Sequence, residues 1–195
     1  MSTHAAYILA SEVVNFCWLV FAVFWLVAAF STKKTVYRES FAQRWTVQVT
    51  VIAGALVLFN APREPAPLNR FFIAQDATVA FLSAALCILG LAFALWARVT
   101  IGTNWSARVT LKEDHELIQR GPYGLVRHPI YTGLLTMALG SALLIGRVGG
   151  IVGFILFVIA FWMKAGHEEA LMLQQFPAEY AAYRQRTKRV IPFLF

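Results

Sequence analysis

Ionisable side chains are scarce and unevenly spread in this sequence, with 17 Lys or Arg and 10 Asp or Glu among 195 residues. Five runs, at 13–30, 45–62, 77–97, 129–146 and 148–163, contain none of these and no His. With 59% hydrophobic residues and a mean hydropathy of +0.62, the chain has more apolar surface than one soluble core of this size can bury. The absence of charge inside the runs also argues against an ion pathway, which places ionisable groups within the membrane. Only two cysteines occur, Cys17 and Cys87, both inside apolar runs. That excludes a disulfide framework or a cysteine metal site, and both are expected to pack as small hydrophobes. A G-x-G-x-x-G element and an alternating strand–helix pattern are both missing, which excludes a Rossmann-type nucleotide domain. No Lys or Arg precedes the first run, so it reads as a retained helix rather than a cleaved leader.

What the chain does have is about five helices' worth of apolar length. A hydrocarbon layer of about 30 Å needs roughly 20 residues at about 1.5 Å rise. The fifth run is the shortest, and flanking Arg147 and Lys164 are expected to complete it by snorkelling to the interfaces. The expected fold class is therefore all-α, an integral membrane bundle forming one domain over 1–195, with three spans in 1–97 and two more in 98–195. The net charge of +7 needs no nucleic acid to explain it, because the basic residues sort by connection. All but Arg63, Arg70 and Arg147 fall after the first, third or fifth run. The positive-inside bias then predicts an outer N-terminus and a cytoplasmic C-terminus.

Between the second and third runs, 61–67 is proline-rich and reads as an outer loop, and 68–76 as an interfacial helical turn. Glu12 and Asp76 are expected at outer boundaries, where a carboxylate costs less than at the midplane. The fourth and fifth runs are separated by almost nothing and predict a tight hairpin at 146–150. Gly133, Gly140, Gly149, Gly150 and Gly153 offer small surfaces for close helix approach in lipid. Past Met163, the spacing of Leu173, Phe176, Tyr180 and Tyr183 predicts an amphipathic tail lying on the membrane surface, broken into two short helices near Phe176 by Pro177.

Polar residues gather at two places that this topology puts on one side: 98–131, with His115, Tyr123, Arg127, His128 and Tyr131, and the segment after the fifth run, with Lys164, His167, Glu168 and Glu169. Basic residues around a carboxylate pair suit a small ligand bearing both signs of charge. The plain alternative is that Arg127 and Lys164 are interfacial anchors and the glutamates an acidic helical turn. Asn104-Trp105-Ser106 spells a glycosylation acceptor, which a cytoplasmic placement makes idle.

Gly121-Pro122-Tyr123-Gly124-Leu125-Val126-Arg127-His128-Pro129-Ile130-Tyr131-Thr132-Gly133 resembles the G-x-Y-x-x-x-R-H-P-x-Y-x-G signature of the isoprenylcysteine carboxyl methyltransferase family, which includes phospholipid methyltransferases. Gly102-Thr103-Asn104-Trp105-Ser106, His115-Glu116-Leu117-Ile118 and Glu168-Glu169 match as well, so the resemblance covers residues from about 98 to 195. It implies S-adenosylmethionine as methyl donor, leaving S-adenosylhomocysteine, and a lipophilic or prenylated acceptor reached from the bilayer. Carried over by position, it implies donor contacts at Arg108, His115, Leu117, Ile118, Tyr123, His128, Pro129, Tyr131, Glu168 and Glu169. Catalytic roles fall to Arg127, Lys164 and Glu168, and acceptor contacts to Trp105 and Lys164. In this picture Glu168 faces the donor's amino group, and Tyr123 and Tyr131 its adenine or apolar parts. Lys164 stands where the family has an arginine, and Pro177 where it has glycine.

The most direct expectation is carboxyl methylation of an isoprenylcysteine-like acceptor. Three alternatives remain open at this level: methylation of a phospholipid amine, which would need a general base; NADPH-dependent reduction of a sterol-like enone, whose enzymes carry a similar R-H-x-x-Y segment; and a membrane scaffold without activity.

Overall fold

The computed structural model describes residues 2–28, 35–38, 41–105, 110–112 and 117–191. Five apolar helices form the body: α1 (Thr3–Ala28), α2 (Phe41–Asn60), α3 (Ala77–Ile101), α4 (Pro129–Ile145) and α5 (Val148–Gln175), followed by the polar α6 (Pro177–Arg186). Four of the five are long and apolar enough to cross a membrane, and α4, at 17 residues, is the short one. Side chains such as Phe16, Leu19, Leu26, Leu56, Leu89, Val99 and Ile159 stand exposed around the bundle. An apolar exterior of that extent is what lipid contact requires. The chain is a multi-pass membrane protein with an all-helical body.

Local chemistry sets the helix ends. The Asp76 side chain accepts the Val79 amide at 2.9 Å and caps α3. Pro129 opens α4, where its missing N–H costs nothing. Gly146 closes α4 with φ +64°, and a Cβ there would collide with the Gln75 side chain, so the hairpin into α5 needs glycine on both counts.

The helices alternate in direction as five crossings demand. Tyr7 near the start of α1 donates to the Leu144 carbonyl at the end of α4, while Arg98 near the end of α3 donates to the Ala28 carbonyl at the end of α1 (2.7 Å). The main packed pairs are α3 with α4, α2 with α5 and α1 with α3, with α4 on α5 joining them. Gly90 and Gly133 seat α3 against α4 so closely that a Cβ on Gly133 would come within 2.5 Å of the Gly90 carbonyl oxygen. Gly140, Gly149 and Gly153 make comparable approaches to Ser83, Ala61 and Leu58. Backbone proximity of this kind supplies the dispersion contacts that hold helices together where lipid removes the hydrophobic driving force.

Three expectations change. The helix carrying the fifth span does not end with its apolar run: α5 continues unbroken to Gln175, because after Met163 Ala165, Glu168, Glu169, Ala170, Leu171 and Met172 favour helix. The break at Phe176 is there, but only its second half is a separate helix, and α6 does not simply lie on the membrane surface: Tyr180 and Tyr183 are buried against the rest of the chain. The interfacial helical turn at 68–76 is instead an irregular segment in which Phe71 bridges to Arg147, with the Arg147 guanidinium 4.1 Å from the Phe71 ring centre. Glu12 is carried on the exposed side of α1, which begins well before the apolar run. The described residues add one small non-helical feature, an antiparallel ribbon of β1 (Thr35–Arg38) and β2 (Thr110–Lys112) that joins the connections after α1 and α3.

Candidate active site

At the end of the bundle where α4 begins and α5 leaves its apolar stretch, three segments meet. The first is a 3₁₀ turn, Gly121–Gly124, followed by 125–128. The second is the polar extension of α5. The third is the chain after α6, which returns alongside the first: the amides of Arg127 and His128 donate to the carbonyls of Lys188 (2.8 Å) and Arg189 (3.0 Å). Thr132 Oγ donates to the Val190 carbonyl at 2.6 Å, and the buried Tyr183 hydroxyl donates to the Tyr123 carbonyl at 2.6 Å. Burial pushes the Tyr183 phenol up to about 12, which keeps it a donor.

Two adjacent carboxylates in this junction have different surroundings. Glu169 is 3% exposed and accepts from Arg127 Nε (2.9 Å), from Arg189 Nε (3.1 Å) and from its terminal nitrogen (2.8 Å). Arg127 also donates to the Thr187 carbonyl. Glu168, with 24% of its side chain exposed, receives the Tyr131 hydroxyl at 2.5 Å. His128 stands between them, Nδ1 3.3 Å from Glu168 and Nε2 3.3 Å from Glu169. Burial of the ring works against its charged form, but the hydrogen bonds and charges of the two glutamates outweigh it and hold the imidazole above its ordinary value.

The apolar wall of the site is aromatic. Tyr131 stacks on His128 (5.4 Å between ring centres) and on Phe161 (5.0 Å), and Lys164 Nζ lies 5.5 Å from its ring centre. Tyr123, Tyr131 and Ala165 share one cluster with Trp105, Ile118, Trp25 and Phe161. Burial and the nearby Glu168 charge push the Tyr123 phenol well above its usual range.

Arg127, His128, Pro129, Tyr131, Lys164, Glu168 and Glu169 are thus brought together, with Tyr123, Ile118 and Trp105 in the adjoining wall. Leu117 is half-buried next to Ile118 in the chain. Arg108 and His115 lie outside the described residues. Sequence reasoning missed Arg189, Thr187, Phe161 and Arg98, whose guanidinium sits 4.6 Å over the Trp105 ring and donates to Gly102. For Arg189 the available signal was the basic end of the tail; its return to Glu169 was not visible in any local spacing. A separate open cavity of about 530 Å³, lined by Tyr7, Phe71, Gln75 and Arg147 among others, lies at the opposite end of the bundle from the carboxylates.

Residues 83–174 match the model of the isoprenylcysteine carboxyl methyltransferase family. Across that segment the chain is similar to that family. A probable protein-S-isoprenylcysteine O-methyltransferase of Oryza sativa subsp. indica is 31% identical over 119 residues, 60% of this chain and 62% of the relative. The protein-S-isoprenylcysteine O-methyltransferase of Schizosaccharomyces pombe is 32% identical over 143 residues, 70% of this chain and 58% of the relative. The chain therefore spans less than two thirds of the length of these methyltransferases. The solved structure of a eukaryotic intramembrane Ras methyltransferase of the family superposes with a TM-score of 0.58 at 23% identity, over 80% of this chain and 55% of that one, a likeness of fold. The matched segment runs from α3 through most of α5 and so includes every part of the junction except the returning tail.

Proposed function

We propose that this protein is a membrane methyltransferase that uses S-adenosylmethionine to methylate the carboxylate of an isoprenylcysteine-like acceptor. The observation that supports it most is the inequality of the two glutamates. Glu169 is saturated by guanidinium groups, whereas Glu168 is partly open and is held by a hydroxyl and an imidazole. A carboxylate left open beside aromatic rings fits a ligand carrying an ammonium and a sulfonium. Glu168, His128 and Tyr131 would hold the donor, with Tyr123, Leu117, Ile118 and Pro129 around it; Arg108 and His115 belong to this proposal by sequence match alone.

Bound there, the donor supplies an electrophilic methyl group on a cationic sulfur. A carboxylate acceptor is ionised at neutral pH and needs no base. The chain's task is alignment and exclusion of water, and well-aligned geometry supplies roughly 7–11 kcal/mol. Lys164, one helical turn before Glu168 on α5 and with its Nζ 5.5 Å from the Tyr131 ring centre, would orient the acceptor carboxylate as a point charge without the two-pronged contact of an arginine. Trp105 and Phe161 line the apolar approach. The product carries the new ester and the donor leaves as the neutral thioether, so no proton moves.

Titration calorimetry of the detergent-purified protein with S-adenosylhomocysteine, and separately with NADPH, tests this reading. Binding of the first and not the second is expected, with loss of binding in His128→Ala and Glu168→Gln and weakened acceptor use in Lys164→Ala. Binding of NADPH alone, or unchanged donor binding in both site variants, contradicts it.

A further inference from the structure

We infer that Glu169 and Arg189 are positioning residues for the donor site, acting on Glu168 through the imidazole of His128 and making no contact with the donor themselves. The inference rests on the donor site proposed above and concerns two groups outside its contact surface. Glu169 is closed to a ligand: it is 3% exposed, its oxygens take three hydrogen bonds from Arg127 and Arg189, Oε1 faces His128 Nε2, and Arg184 Nε lies 3.8 Å from Oε2. Arg189 reaches it with the two-pronged geometry that only a guanidinium has. That side chain is itself fixed, its guanidinium 4.4 Å from the Trp162 ring centre and its carbonyl taking the His128 amide at 3.0 Å.

His128 transmits the effect because it has a carboxylate at each nitrogen. Held at both ends, the ring has one orientation, and both nitrogens must carry hydrogen to satisfy both carboxylates. A neutral ring would turn a lone pair towards one glutamate, and the Nδ1 contact that orients Glu168 would compete with the Nε2 contact to Glu169. The charged or titratable groups around this ring are Glu168, Glu169 and Lys164 from α5, Tyr131 from α4, Arg127 from the preceding segment, and Arg184 and Arg189 from the tail. Removing the Glu169 charge takes away one of the two anions that favour the imidazolium. His128 then loses its second proton at lower pH, and the alkaline decline of donor binding moves down with it.

The test is calorimetric titration with S-adenosylhomocysteine across pH 6–9 (about three units spanning the histidine range) for the full chain and for Glu169→Gln, Arg189→Ala and Arg189→Lys. Arg189→Ala is expected to weaken binding about 10-fold or more, the usual cost of losing an outer-shell partner. Arg189→Lys should recover only part of it. Glu169→Gln should shift the alkaline limb to lower pH. A loss in Glu169→Gln that is uniform at every pH would make Glu169 a ligand of the donor and overturn the positioning role. Wild-type affinity and pH profile in Glu169→Gln and Arg189→Lys would overturn it while leaving the donor site intact. Failure of the unmodified protein to bind S-adenosylhomocysteine would remove the donor site and the inference together.

Discussion

His128 is the residue on which charge and geometry bear most directly. Its imidazole titrates above the ordinary histidine value of about 6.5 because two glutamates face it, in spite of its burial. A raised folded-state value means that the pairing stabilises the fold fully below about pH 6.5 and that this contribution is lost as pH rises through the folded value. The thermal midpoint in detergent should therefore fall on the alkaline side, and His128→Gln should flatten that part of the profile. Arg127 carries the larger static load. Its side chain is 9% exposed and tied to both Glu169 and the tail, and breaking a buried pair by removing one partner costs on the order of 3–5 kcal/mol. Arg127→Ala should lower the midpoint in the absence of any ligand, and Lys164→Ala, which removes a cation attracting Glu168, should lower it less. The adjacency of Glu168 and Glu169 and their approach to His128 were legible in the sequence through the family motif. The resemblance already set Glu168 against the donor, but that Glu169 is closed was not legible, because Arg189 returns from 20 positions along the chain to take it.

Among the elements, the apolar runs marked all five helices, and Pro129, Gly146 and Pro177 marked three of their ends. Charge misled at the end of α5. Lys164, His167 and the two glutamates read as the start of a polar tail, but helix propensity carried the span through them, which is what lifts Glu168 to the level of His128. Glycine spacing identified Gly133 and Gly153 as close-approach surfaces and overlooked their partners Gly90 and Gly54, since one sequence shows a small residue but not what faces it. The α3–α4 seat is the sharpest case. A methyl group on Gly133 meets the Gly90 carbonyl and Ala94, both rigid, so Gly133→Ala should destabilise by about 1–3 kcal/mol as overpacking does. Gly166→Ala, where a Cβ meets nothing within 4 Å, should stabilise slightly through better helix propensity. Thermal unfolding of the two variants in the same detergent compares them directly, and equal midpoints would show that the helix pair can spread at no cost.

For the molecule as a whole, the alternating helices place the starts of α2 and α4 and the ends of α1, α3 and α5 at one end, with the ribbon of β1 and β2 and the docked α6. The distribution of Lys and Arg was enough to foresee that grouping, because fourteen of the 17 sit in these connections. The same bias predicts the orientation in the cell: reporters fused after residue 175 should be cytoplasmic and those at residue 65 external. On the function proposed above, a water-soluble donor would enter from the inner face and an acceptor with an apolar chain would reach Lys164 from the bilayer. The proposed reaction transfers methyl to a carboxylate oxygen, and chemistry distinguishes that product, since a methyl ester is cleaved by mild base whereas a methylated amine is not. Purified protein should move labelled methyl from S-adenosylmethionine to a farnesylated cysteine with a free carboxylate, with all of the label released by base. No transfer to that acceptor, or label appearing in a base-stable phospholipid headgroup, would contradict the account.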